Sequence, residues 1–186
     1  LDPSERARRL SRAGAPALGV RMGLTAQGEL TARANQVMEG YWEQPEATAD
    51  AIVDGWFRTG DGGTIDDEGY VTISDRKKDV IISGGENVSS IEVEDALFSH
   101  PAVAEVAVIG VPDEKWGELV LGLVVLVEGE SVSEEELRDH CRPKLAGYKI
   151  PKRIEFRAEL ARTATGKLQK FKLRESYWEG FDRQVN

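Results

Sequence analysis

Two apolar runs of strand length, Val103–Val111 and Leu119–Val127, most constrain what this chain can become. They flank a charged turn, Pro112–Gly117, that contains Trp116. The Leu119–Val127 stretch is interrupted by Gly122 and falls well short of the roughly 20 residues that a membrane helix needs, so both runs are expected to be strands and no membrane span follows. Their neighbours are consistent with that. Asp79–Ser83 reads as a shorter apolar strand. Ser89-Ser-Ile-Glu92 is a capping-box sequence opening a helix to about His100, where Pro101 stops it. A second such box, Ser133-Glu-Glu-Glu136, opens a helix through about Ala146, and Lys152–Phe156 is a further strand. A last helix follows Lys167, with Leu168, Phe171 and Tyr177 on its apolar face and Lys170, Lys172 and Arg174 left for solvent or a partner. From Asp75 the order is strand, helix, strand, strand, helix, strand, loop, helix, which is a compact α+β domain.

Upstream the pattern is looser. Residues 1–40 read as a broken set of short strands rich in glycine. Glu29–Arg33 is a candidate strand and Gln44–Val53 a short helix with Pro45 near its start. Trp56-Phe-Arg-Thr-Gly-Asp61 is expected to enter a turn. Thr64-Ile65, the turn Asp66–Gly69 and Tyr70–Ser74 then form a hairpin. The 186 residues, 40% of them hydrophobic, can fill one substantial core or two modest ones. The chain begins Leu1-Asp2 without methionine and is expected to be a piece of something larger.

The net charge of −9 argues against general nucleic-acid binding, but it is unevenly spread. Residues 142–186 hold 12 Lys and Arg against 5 Asp and Glu, leaving 12 against 28 in residues 1–141. A basic segment of this kind is either a solvated surface or a patch aimed at a polyphosphate ligand. Cys141 is the only cysteine, so no internal disulfide can form. With no charged-then-apolar leader at the start, a reducing cytoplasm is the expected location. His100 and His140 have no ligand partner at metal-site spacing, so no metal site is expected of them.

Lys167 sits inside the basic segment, in Arg162-Thr-Ala-Thr-Gly-Lys167. A phosphate-cradling P-loop would need glycine five positions before Gly166 and a hydroxyl residue after the lysine. Those positions hold Ala161 and Leu168, so the lysine must reach an anion in some other way.

Three stretches in this order, Trp56-Phe-Arg-Thr-Gly-Asp61, Asp75-Arg-Lys-Lys-Asp-Val-Ile-Ile-Ser-Gly-Gly-Glu-Asn87 and Arg162–Lys167, resemble late motifs of the adenylate-forming enzymes. Gly84-Gly-Glu-Asn87 and Gly110-Val-Pro-Asp-Glu-Lys-Trp-Gly-Glu118 look most like the acyl-CoA synthetase branch, fatty-acid ligases in particular. The likeness runs from about Val37 to Arg174. Ala161 is a departure, since members of the family often carry proline there.

The resemblance implies an architecture. Residues 1–74 would be the β-rich end of a large N-terminal catalytic domain whose earlier part is absent, Asp75 the hinge, and residues 76–186 a small mobile C-terminal domain of short sheets packed with about three helices. It also implies a chemistry. A carboxylic acid attacks ATP to give acyl-adenylate and pyrophosphate, and CoA then displaces AMP, with Mg²⁺ shielding the phosphates. Lys167 would be the cation between carboxylate and α-phosphate. Asp61, with Thr59 beside it, would hold the ribose hydroxyls, and Arg76 would add a ribose or phosphate contact. Gly84, Gly85 and Glu86 would border the pantetheine channel. Trp56 and Trp116 are expected to be packing residues. A chain without the N-terminal body is expected to be inactive alone. The other readings are a nonribosomal-type adenylation unit and a non-catalytic binding module.

Overall fold

A computed structural model describes residues 12–181. They fall into two compact units, the first ending at Lys77 and the second beginning at Lys78. The outer ends of the two expected domains, residues 1–11 and 182–186, lie outside the described residues.

The first unit is a five-stranded antiparallel sheet organised on β4 (Trp56–Ile65), which pairs with β2 (Glu29–Arg33), β3 (Ile52–Val53) and β5 (Val71–Arg76). Strand β1 (Arg21–Leu24) extends the sheet beyond β2. Helix α1 (Pro45–Ala51) begins on a proline, whose missing N–H would have had no partner in a first turn. The expected hairpin forms between β4 and β5. Asp66 Oδ1 accepts from the N–H groups of Glu68 and Tyr70, each at 3.0 Å, so the side chain itself builds the turn. The Trp56–Asp61 stretch does not enter a turn as expected. It runs along β4, because Phe57 and Arg58 pair with Ala32 and Thr31 and Gly62 pairs with Glu29.

The second unit is built on a long hairpin of β8 (Val103–Asp113) and β9 (Gly117–Leu126). On β9 sit β10 (Arg153–Phe156) in parallel and β6 (Ile81–Ser83) antiparallel, and β7 (Glu86–Val88) closes the other edge of β6. Both faces of the hairpin are covered, which explains why its strands read as continuous apolar runs rather than alternating ones. Val108, Val120 and Val124 face a core shared with α2 (Ser90–Phe98) and α3 (Glu134–Cys141), through Val93, Leu97, Leu137 and Cys141. The alternate residues Ala107, Ile109, Leu121 and Leu123 face Leu160, Leu168 and two residues of α4 (Lys170–Trp178), Leu173 and Tyr177. Three helices thus sandwich the second sheet.

Of the two expected capping boxes, the one at Ser133 forms in full, while at Ser89 the Glu92 carboxylate bonds Lys149. Ser89 Oγ accepts from Glu92 N–H, and at Ser133 both halves of the capping box form with Glu136. The two hydrogen bonds from Ser133 hold the Glu136 carboxyl below its ordinary range. Helix α3 stops at Cys141, short of Ala146, since Pro143 has no N–H to continue the ladder and Leu145 turns back onto the Cys141 carbonyl at 3.0 Å.

Helix α4 departs furthest from expectation. Its inward stripe is Lys170, Leu173, Arg174 and Tyr177, while Phe171 is 60% exposed. Arg174 is buried against Asp79, and Lys170 Nζ lies 2.7 Å from Glu94 Oε1 and 2.6 Å from Ser90 Oγ. Two charged residues expected at the surface are consumed by internal partners. Lys172 stays exposed.

Candidate functional site

In the first unit the expected nucleotide residues lie side by side at the β4–β5 pairing. Asp61 is the cross-strand partner of Arg76, with Arg76 Nε 3.3 Å from Asp61 Oδ1. The Asp61 carboxylate is 28% exposed and the Arg76 side chain 61%, so both remain open to a ligand. Thr59 does not face outward. Its hydroxyl donates to the Leu30 carbonyl at 2.7 Å and accepts from Asp61 N–H at 3.1 Å, which fixes the backbone that presents Asp61. Gly60 takes φ +74°, a left-handed conformation that favours glycine. Asp75, the expected hinge, is buried in β5 opposite Gly62, and its Oδ1 accepts from Arg76 N–H at 2.8 Å.

Sequence reasoning missed Glu29. Its buried carboxylate accepts from Gly60 N–H at 3.0 Å and pairs with Lys77 Nζ at 3.3 Å. A glutamate at the head of an otherwise apolar-facing strand was the available signal, but only the register of β2 on β4 reveals what it holds.

In the second unit Lys167 closes a tight loop. Thr163 N–H donates to the Lys167 carbonyl at 2.8 Å, Gly166 N–H to the Thr163 carbonyl at 2.9 Å, and Lys167 N–H to Thr163 Oγ1 at 3.0 Å. Arg162 braces this loop from its base. Its Nη1 donates to the Gly166 carbonyl at 2.7 Å, while Nη2 meets Glu105 Oε2 at 2.6 Å. The loop therefore has its own stiffening where proline is replaced by Ala161. The Lys167 side chain is exposed, and its ammonium has no hydrogen bond or ion pair with another described residue.

Gly84 and Gly85 form the two-residue turn between β6 and β7, with φ +63° and +84°, the left-handed pair that such hairpins require. Gly84 N–H donates to the Trp116 carbonyl at 2.8 Å, and a Cβ on Gly84 would lie 2.8 Å from the indole Cε3. Trp116, 38% exposed, lies over the glycine turn. Glu86 is exposed beside it. Gly84→Ala is expected to destabilise the second unit by about 1–3 kcal/mol, and Gly85→Ala, with nothing within 4 Å, by less. Urea unfolding of the two variants checks this. Equal midpoints would remove the indole contact from the account.

The two loops are pinned to opposite ends of one hairpin. Arg162 holds Glu105 near the start of β8, whereas Gly84 hangs on Trp116 in the turn beyond Asp113. Glu105 and Asp113 are eight residue steps apart along the strand, about 26 Å at ordinary strand rise.

His100 and His140, far apart in sequence, meet edge to face with ring centroids 4.9 Å apart. Burial, Lys144 and His100 together hold His140 below its ordinary range, and burial pushes the Cys141 thiol up. Among the described residues no group of three or more His, Cys, Asp or Glu is placed to hold a metal ion, and no helix is long and apolar enough to cross a membrane.

The second unit thus carries a braced, outward-facing lysine and a glycine turn, and the first presents an Asp–Arg pair, in the stretches that resemble late motifs of the adenylate-forming enzymes. Comparison with known proteins agrees. Residues 92–167 match the AMP-binding enzyme C-terminal domain family, and the chain is similar to the C-terminal part of adenylate-forming CoA ligases. A long-chain-fatty-acid–CoA ligase of Mycobacterium tuberculosis is 51% identical over 151 residues, which cover 81% of this chain and 30% of the relative. A feruloyl-CoA synthase of Amycolatopsis sp is 46% identical over 151 residues, 81% of this chain and 31% of its own length. Among solved structures, ATP-bound MatB of Rhodopseudomonas palustris superposes with a TM-score of 0.87 at 36% identity, covering 92% of this chain and 37% of that one. The chain spans about a third of the length of these relatives.

Proposed function

We propose that this chain is the C-terminal portion of an ATP-dependent acyl-CoA synthetase whose acid is a fatty acid. In the first half-reaction a carboxylate oxygen attacks the α-phosphorus of ATP and the bond to pyrophosphate breaks. In the second, the CoA sulfur attacks the acyl carbon and the bond to AMP breaks. The observation that carries this reading is the unpaired ammonium of Lys167 on a loop stiffened by Arg162. Two anions must approach one another in the first step, and a fixed cation lowers the barrier where their charge crowds. Lysine suits this as a compact charge on a flexible stem.

Asp61 would accept the ribose hydroxyls, with Thr59 and Glu29 holding its backbone and Arg76 adding a ribose or phosphate contact. Gly84, Gly85 and Glu86 would line the path of the pantetheine arm. Because the two loops are fixed to opposite ends of β8, the unit would serve the two half-reactions in turn by reorienting, with a hinge that follows the β5 strand in which Asp75 is held. Mg²⁺ would arrive on the ATP phosphates; the described residues offer it no cage and no step is assigned to it. The lone Cys141 fits a cytoplasmic location. Isolated, the chain would be inactive, since the relatives' remaining two-thirds would supply the rest of the site.

Names of relatives support CoA over a carrier protein as the acceptor, but they span fatty and aromatic acids. The test is the full-length protein incubated with ATP, CoA and a panel of fatty and hydroxycinnamic acids, with products read by mass spectrometry. Acyl-CoA and AMP from fatty acids are expected. Efficient turnover of aromatic acids alone would reassign the substrate, and no thioester from any acid would overturn the ligase reading.

A further inference from the structure

The boundary between the two units is flanked by two ion pairs, each contained within its own unit. On one side Lys77 Nζ reaches the buried Glu29 carboxylate at 3.3 Å. On the other, Asp79 pairs with the buried Arg174, whose Nη1 also donates to the Lys78 carbonyl at 3.3 Å. Arg174 thus commits two of its nitrogens to the first two residues of the second unit, while its Nε is buried without a partner among the described residues. An arginine placed at such a cost for fold alone is a poor choice, because an apolar side chain of similar volume would be as stable or more so.

We propose that Glu29–Lys77 and Asp79–Arg174 are positioning pairs that confine reorientation to the main-chain torsions about Lys77 and Lys78. This rests on the two-step ligase reading above. Rotation about a few torsions moves a domain as a body only if the residues on either side are held by their own domains. Arg174 does so from helix α4, the element entered directly from the Lys167 loop, and Lys170 ties the same helix to Glu94 and Ser90 of α2. A turn at the boundary is therefore transmitted to Lys167 through one helix rather than through a slack chain.

Arg174→Met in the full-length protein tests this against three rates: adenylate formation by pyrophosphate exchange, thioester formation from supplied acyl-adenylate, and the coupled reaction. The coupled rate, which needs the reorientation once per turnover, is expected to fall by more than about tenfold, each half-reaction by much less, with the exchanged pair Asp79→Arg/Arg174→Asp recovering most of the loss. A residue that only holds the fold would lower all three rates by one factor as Tm falls, and that result overturns the proposal. So does a variant equal to wild type in every rate. Should Arg174→Met not fold, Arg174→Lys, which keeps charge but loses the two-nitrogen grip, carries the same comparison. If wild type catalyses neither half-reaction, the ligase reading fails instead. The pins are then read in the present chain by trypsin cleavage after Lys77 and Lys78, expected about tenfold faster in the variant, with unchanged cleavage counting against them.

Discussion

Replacing Lys167 by alanine in the full-length protein is expected to slow acyl-adenylate formation by roughly 10²–10³-fold, the usual loss when one fixed electrostatic partner of a developing charge is removed. Thioester formation from supplied acyl-adenylate should change by far less. The asymmetry follows from where charge crowds. In the proposed first step a carboxylate would meet a phosphate, whereas in the second a thiol would attack a neutral acyl carbon. The variant should fold normally, because the Lys167 side chain is exposed and the loop hydrogen bonds use its backbone and Arg162. Pyrophosphate exchange and chromatographic assay of the thioester measure the two steps separately. Equal losses in both would remove Lys167 from the role proposed for it.

The second large effect is on stability. Leu97→Ala is expected to cost the second unit about 3–5 kcal/mol, a substantial part of the 5–15 kcal/mol that holds a typical domain. Leu97 is fully buried in the core between α2 and the hairpin. It also fills the notch above Gly122, where an added Cβ would lie 3.2 Å from Leu97 Cδ1. Gly122 has no side chain to fill the void from its side, which puts the site toward the costly end of such truncations. Urea unfolding should show a lower midpoint with an unchanged slope. A loss below about 1 kcal/mol would mean that the core repacks around the hole. Because the Lys167 loop and the glycine turn both ride on this unit, both half-reactions should fade together in Leu97→Ala as it unfolds, in contrast to Lys167→Ala.

Strands β8 and β9, both caps and the Asp66 turn were legible because each depends on neighbours in sequence: an apolar run, a serine three residues before a glutamate, an aspartate two before a free N–H. What periodicity could not see was charge turned inward. Assigning the apolar face of α4 assumed that lysine and arginine face out, which placed Phe171 inside and Arg174 outside. The partners that reverse this assignment lie far off, Asp79 at 95 residues from Arg174 and Ser90 at 80 from Lys170. Glu29 escaped for the same reason, since Gly60 and Lys77 meet it only through strand register. The expected hinge and the division of the contacts fall at different residues. Asp75, expected as the hinge, is locked in the β5 ladder, and the compact units divide after Lys77.

On the proposed reading the β8–β9 ladder would also act as a measuring rod for the distance between the two chemistries. Side chains alternate along it, so adding a single residue to each strand would turn both cores inside out, whereas two would preserve the faces and lengthen the rod by about 7 Å. Natural or engineered variation in its length should therefore come in even steps, each carrying the lysine and the glycine turn further apart and demanding a different angle of travel between the two steps.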